Sequence, residues 1–470
     1  MSWVRIRYFL RGLLRVRDNI RDILILAIIV GGITGFIALM FYNALGMVSR
    51  YILINVMGLL PESDNSLGLW YLSPVIVGLG GLMAGILVYT FAPEAEGHGT
   101  DAVIGSFHRR NGYMRLREPI VKFIASIMTI GFGGSAGREG PMAQIGGGIA
   151  SVLSRVLGAP IHVQRIGITI GLAAGLGAIF KAPLGAAIFA IEVLYMRDFE
   201  SEALIPAFVG AIVGYSIFGY FTGYEHIFIL PYIPLISPIE YGFYAILGVA
   251  TAIVGAIYVK TFYYLKHIFG DLDIPNHFKP MIGGLFTGLI AIFFPQVLGG
   301  GYEWITLYSE GVFPYWFLGK WIYLDIEGQL IMVISLSIIL ILLKILATSF
   351  SIGSGGSGGV FAPGLFVGGL TGFILSLILI HLFPDIFPNP SKFISTFMIV
   401  GMLSLFGGIS KAPLAVLIMV NEMVGSYELM PQAMLSIALS YFLTGKLTIY
   451  GEQVMSREHS PAHWGHERRY

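Results

Sequence analysis

Cysteine is absent from this chain. Its absence excludes a disulfide framework and any site built on thiolates. Charge is scarce too: Asp, Glu, Lys and Arg make up 12% of the residues, about half the share in a soluble globular domain. Long stretches carry none at all, among them 23–49, 67–93, 203–224, 241–259, 329–343 and 360–384. Apolar runs of about 18 or more residues read as transmembrane helices. Lipid leaves only helices and closed barrels as spanning forms, and barrel strands would alternate polar and apolar residues, as these runs do not. The expected fold is an all-α polytopic membrane protein. Walker A, dinucleotide and H-E-x-x-H patterns are missing, so no cofactor is implied.

What the chain has in abundance is glycine, 62 residues of it, and some of it recurs in order. Gly134–Gly148 reads GSAGREGPMAQIGGG and Gly356–Leu370 reads GSGGVFAPGLFVGGL, an offset of 222 (356 − 134). Phe180–Leu194, FKAPLGAAIFAIEVL, matches Ser410–Val424, SKAPLAVLIMVNEMV, at an offset of 230 (410 − 180). A weaker pair, GHG at Gly97 and GGG at Gly299, keeps the same order. Ordered matches at nearly one offset predict two homologous halves, about 22–225 and 240–450. Around the motifs the apolar segments are cut short by Gly and Pro, at 119–132, 141–156, 165–180 and 183–194, and again at 361–383, 394–409, 412–420 and 432–445. Interrupted helices at matching places in two halves point to a transport site near the membrane midplane.

Six arginines, from Arg5 to Arg21, precede the first apolar run, and Arg109, Arg110, Arg115 and Arg117 cluster between later ones. The positive-inside rule puts both termini and the 108–117 loop in the cytoplasm, in the cell (inner) membrane. Residues 1–21 read as a basic helix lying at the membrane surface. The tail, 462–470, is short, leaves no room for a regulatory domain, and is expected to be mobile. His459, His463 and His466 in and beside it have the spacing of a metal site.

Gly137-Arg138-Glu139-Gly140-Pro141 suits a tight turn leading into a helix, with Pro141 in the first turn, where its missing N–H costs nothing. Gly358-Gly359-Val360-Phe361-Ala362-Pro363 has the same construction. Helix N-termini collect free N–H groups and the positive end of the dipole, so two of them facing one another make an anion site. An intramembrane carboxylate marks a functional position. Glu139 at one such terminus reads as a competitor for the anion, displaced by it or by protonation. Glu192 and Glu422 close the two KAPL segments and read equally as solvated helix ends or as functional groups. Lys181 and Lys411 read as inner helix starts that draw anions into a vestibule.

One enzyme reading competes. Gly355-Gly356-Ser357-Gly358 is a G-x-S-G, as in rhomboid-type intramembrane serine proteases, with His381 further on. A nucleophile is needed once, however, and this turn is duplicated. A receptor-like membrane protein is the other alternative.

GREGP, GGVFAP and Tyr450 in LTIYGEQV together resemble the three strongest motifs of the CLC chloride channel and transporter family, of the prokaryotic type. The resemblance runs from about residue 23 to 461. It implies a homodimer with one pore per subunit, each subunit being two inverted repeats of tilted, broken helices. It further implies that the amides of Val360 and Phe361 and the Tyr450 hydroxyl bind chloride or a related anion, and that Glu139 is the gate. Two departures matter. Where the family has a serine in G-S-G-I-P, this chain has His98 between Gly97 and Gly99, so His98 is expected to bind the anion or to turn towards Asp101. Where proton-exchanging members carry an inner glutamate, this chain has Val193. The expectation is therefore channel-like or weakly proton-coupled conduction, with chloride/proton exchange through another inner carrier, such as Glu192, as the alternative.

Overall fold

The computed structural model describes residues 16–59, 67–228, 238–317, 319–326, 328–387 and 389–464. The expected surface helix therefore lies largely outside the described residues, as does His466.

Among the described residues, sixteen α-helices fall into two sets of eight. The first set is α1 (Ile20–Ser49), α2 (Ser73–Phe91), α3 (Thr100–Arg109), α4 (Arg117–Gly131), α5 (Glu139–Val156), α6 (Ile161–Phe180), α7 (Pro183–Glu192) and α8 (Leu204–Thr222). The second is α9 (Glu240–Asp271), α10 (Lys279–Ala291), α11 (Tyr302–Ser309), α12 (Leu330–Gly353), α13 (Phe361–Leu382), α14 (Pro390–Ser410), α15 (Pro413–Val424) and α16 (Met430–Thr444). The packing repeats as well: α5 lies on α6 as α13 lies on α14, and α1 on α8 as α9 on α16.

Eight helices among the described residues are long and apolar enough to cross a membrane. They include α6, α13 and α14, in segments that the sequence reading grouped with pieces too short to cross. Their glycines and prolines sit at the helix ends or against neighbouring backbone, so they do not cut the helices. One element was not anticipated: β1 (Phe313–Phe317) and β2 (Lys320–Leu324) form an antiparallel hairpin, with Phe313 opposite Leu324 and Phe317 opposite Lys320. Its residues, FPYWF and KWIYL, are largely the aromatic and β-branched types that suit strands.

The two sets meet along a polar seam with reciprocal bonds. The Gly137 amide donates to the Gly359 carbonyl at 2.7 Å, and the Gly359 amide returns to the Gly137 carbonyl at 2.6 Å. The Ser126 and Ser357 hydroxyls pair at 2.9 Å, as do those of Ser135 and Thr348, each residue lying 222 positions from its counterpart (348 − 126, 357 − 135). Such bonds contribute about 1 kcal/mol each, but a broken one would leave a buried polar group unpaired.

The helix breaks are reciprocal too. α6 ends at Lys181 and α14 at Lys411, both left-handed, with φ 52° and 56°. Ala182 and Ala412 are then pushed out of helical geometry by the prolines that follow, and α7 and α15 start afresh. Lys181 and Lys411 are thus C-terminal caps of the preceding helices, not helix starts. Their charge complements the negative end of the dipole, and their ammonium groups donate to the Thr222 carbonyl and the Thr444 hydroxyl.

Candidate functional site

The seam brings the two glycine turns together. α5 starts at Glu139 and α13 at Phe361, and their first-turn amides have no acceptor within their own helices. Between them lies a small enclosed cavity of ≈ 10 Å³, lined by Thr100, Glu139, Gly140, Leu176, Phe189, Val360, Phe361 and Tyr450, about the space of one water centre. Four of the expected site residues, Glu139, Val360, Phe361 and Tyr450, therefore meet in one chamber.

Glu139 is 1% exposed. Its Oε1 accepts the Tyr302 hydroxyl at 2.6 Å. Its Oε2 lies beside Gly137 and Ala362, without a hydrogen bond of good geometry. Arg138 points away from the chamber, its guanidinium over the Tyr42 ring at 4.8 Å. Val360 is held through its carbonyl, which accepts the Tyr258 hydroxyl at 3.2 Å. Pro141 and Pro363 fall in the first helical turns, and Gly358 packs on Ala136.

Two larger cavities, the vestibules, are lined by neighbours or members of the chamber wall. One, ≈ 640 Å³, is lined by His98, Asp101, Arg109, Lys266 and Glu452, among others. The other, ≈ 900 Å³, reaches Arg138, Glu139, Tyr302 and Glu303. Glu139 lines both the chamber and this second vestibule.

His98 is not among the residues that line the chamber; Thr100, two positions on, is. Gly97 and Gly99 flank His98 with φ of 69° and 85°, a backbone course that favours glycine. It turns the ring towards Asp101, whose Oδ2 lies 3.1 Å from Nε2. The ring centroid stays 5.4 Å from that of Tyr450.

Glu192 is not a solvated helix end. It is 4% exposed, and its two oxygens accept the amides of Leu414 and Ala415 at 3.2 and 2.6 Å, at the start of α15. Glu422 does the same for Leu184 and Gly185 at the start of α7, at 3.2 and 2.7 Å. Each carboxylate caps the other half's helix. Val193 is buried, with its carbonyl accepting from Gln453. Lys181 lines neither vestibule nor the chamber.

Ser357 is buried between the Ser126 hydroxyl and the Ala95 carbonyl, while His381 lies exposed at the far end of α13. No nucleophile and base are assembled there. The tail differs from its mobile expectation as far as residue 464. His463 Nε2 lies 3.0 Å from Glu200, Arg165 donates to the Ala462 carbonyl, and Ser460 meets His108 at 2.7 Å. Burial pushes the His108 imidazole down to about 4.

Sequence reading missed two fully buried lysines. Lys122 donates to the carbonyls of Ala95 and Gly97 at 3.0 and 2.7 Å, and Lys344 to those of Val297 and Gly299 at 2.8 Å each. Both stand 15 positions before the seam glycine of their half (137 − 122, 359 − 344), and that shared spacing was the available signal. Tyr302, Tyr258 and Thr100 carried no signal of comparable strength.

The family model described as voltage gated chloride channel matches residues 80–445. The H(+)/Cl(−) exchange transporter ClcA of Yersinia pseudotuberculosis is 29% identical over 415 residues, covering 87% of this chain and 81% of that one. The crystal structure of a slow cyanobacterial Cl−/H+ antiporter superposes with a TM-score of 0.76 at 23% identity, over 91% of this chain and 96% of the other. That of a CLC-type fluoride/proton antiporter does so with 0.73 at 22%, over 93% and 98%.

Proposed function

This chain belongs to the CLC family, a family of anion transport proteins of the membrane, and on that premise we propose that it exchanges chloride or a similar monovalent anion for protons, with Glu139 as the gate. The observation that carries this reading is Glu139 itself. A buried carboxylate occupies the meeting point of two helix N-termini, where an anion would bind, and lines the boundary between chamber and vestibule. Anion and carboxylate compete for the same place, and a proton on Glu139 weakens its hold. One residue thereby links the two movements. The first-turn amides of Val360 and Phe361 and the Tyr450 hydroxyl would hold the anion without a full positive charge, which lets it leave again. Exchange is preferred to channel-like conduction because the similar proteins named above are a Cl−/H+ exchanger and two proton-coupled antiporters.

The assembly proposed with it is a homodimer with one pore per subunit, each subunit built of inverted repeats at about 22–225 and 240–450. Both termini and the vestibule beside Arg109 and Arg110 would face the cytoplasm.

Reconstitution into liposomes with simultaneous chloride and pH recording tests the reading. A chloride gradient should drive protons uphill. Glu139→Gln should abolish proton movement and its pH sensitivity while leaving anion binding intact or tighter. Chloride flux with no proton movement at any pH would reject exchange in favour of conduction, and Glu139→Gln behaving as wild type would remove the gate.

A further inference from the structure

We propose that His98, held by Asp101, is the inner proton carrier of this protein. The proposal rests on the exchange reading above and names the route by which protons reach the chamber from the vestibule that His98 lines.

Exchange requires an inner carrier, and neither expected position offers a titratable group free of partners. Val193 has no titratable group, and Glu192 has both oxygens bonded to backbone amides at the start of α15. Glu96, in the same vestibule, is taken by the Tyr89 hydroxyl at 2.7 Å. His98 stands between the vestibule and the chamber. Its ring lines the vestibule and lies 5.4 Å from that of Tyr450, which lines the chamber together with Glu139. Its carbonyl packs so closely on Gly140, the residue after the gate, that a Cβ there would come within 2.0 Å.

The bonding of the ring is that of a carrier. His108, the other buried histidine nearby, has both nitrogens occupied, by Ser460 and the Leu194 carbonyl. His98 is 4% exposed and has only one occupied: Nε2 faces Asp101, and Nδ1 is buried with no partner. An unpartnered buried nitrogen is unfavourable, and it leaves a lone pair free to take a proton. Asp101 is fixed in turn by the amides of Gly451 and Glu452 at 3.3 and 3.2 Å. The other charged groups lining this vestibule are Glu94, paired with Arg115, Glu452, paired with Arg109, and Arg110, Lys266 and Lys279, while Lys122 lies beneath the Gly97 carbonyl.

The step balances without a co-reactant. Neutral His98 donates Nε2–H to the Asp101 carboxylate and offers the Nδ1 lone pair. A proton entering from the vestibule forms an N–H bond at that buried nitrogen, giving an imidazolium beside Asp101. The same bond then breaks towards water on the chamber side, on the way to Glu139, and the ring returns to its starting tautomer. Second-half residue Gly300 occupies the position matching His98, so no such carrier exists on the other face, where Glu139 meets its vestibule directly.

The test is the proton-to-chloride ratio in liposomes under a chloride gradient, for wild type, His98→Gln and Asp101→Asn. We expect the ratio to fall at least about tenfold in His98→Gln, a modest demand on a positioned proton-transfer group, and about threefold in Asp101→Asn. A wild-type ratio in His98→Gln, or proton and chloride fluxes falling together, overturns the carrier. If His98→Gln does not fold, Asp101→Asn decides, and an unchanged ratio there overturns the proposal. Failure of the exchange reading looks different: wild type itself would then move no protons uphill.

Discussion

The start of α5 and the start of α13 are one turn built twice, with different side chains. Backbone bonds across Gly137 and Gly359 are reciprocal, each half has its buried lysine, and Glu192 and Glu422 cap each other's partner helices. The scaffold is therefore symmetric to within a few tenths of an ångström in its hydrogen bonds. At the chamber the symmetry stops. The first half presents Arg138 and Glu139 where the second presents Val360 and Phe361, and Gly140 where the second has Ala362. Its loop carries His98 and Thr100 where the second half carries Gly300 and Tyr302. Repeated backbone amides can hold an anion from two sides, but a gate is needed once. The matching turns frame the chamber, and differences at a handful of positions make its two faces unequal.

The most damaging way to erase that inequality is Gly140→Ala, which makes the first turn copy the second. The new methyl group would fall 2.0 Å from the His98 carbonyl and 2.9 Å from the Gly359 Cα, and backbone on both sides cannot yield. The cost should be about 3 kcal/mol, the upper end for overpacking, seen as a lower midpoint of thermal aggregation in detergent. A wild-type midpoint would mean that the seam is looser than these distances.

A smaller effect separates the two caps. Glu192 is 4% exposed and Glu422 is half-buried. Replacing either by Gln turns one acceptor into a donor facing an amide. Glu192→Gln should cost about 2 kcal/mol, because nothing but protein can satisfy the amides, and Glu422→Gln under about 1 kcal/mol, because water can. Thermal midpoints of the two variants give the order. The proton-to-chloride ratio should stay at its wild-type value in Glu192→Gln; its loss would make that residue a carrier after all.

Much of this was legible before any coordinates. The membrane class follows from charge-free runs, and the paired helix starts follow from GREGP and GGVFAP, because glycine before a helix and proline in its first turn have local causes. Lys181 and Lys411 are misplaced, and the partners of Glu192 missed, for one reason. Each KAPL segment was read as a single helix with its own ends, whereas the left-handed lysine closes one helix before the proline opens the next, and the glutamate serves a helix about 220 residues away. Partners that distant leave no local trace. Thr100 and Tyr302 are of that kind as well, since only the folded seam aims Thr100 at the chamber and Tyr302 at Glu139.

Those two residues are the finest probe of the inequality, because they hold matching places after GHG and GGG. Tyr302 donates to Glu139 at 2.6 Å and so holds the proposed gate in position. Thr100 lines the chamber itself. Tyr302→Phe removes a hydrogen bond to a carboxylate and keeps the ring, which packs on Phe228 with centroids 5.3 Å apart. Such a bond is worth about 1.5 kcal/mol, and part of that loss passes to the anion, so its affinity should rise about fivefold. Thr100→Val keeps the shape and removes a hydroxyl from the anion's side, so affinity should fall, by about threefold or less. Calorimetric titration of both variants with chloride in detergent reads the two signs directly. If both variants shift affinity in the same direction, Tyr302 is not holding the gate shut, and the two faces of the chamber are less unequal than their side chains.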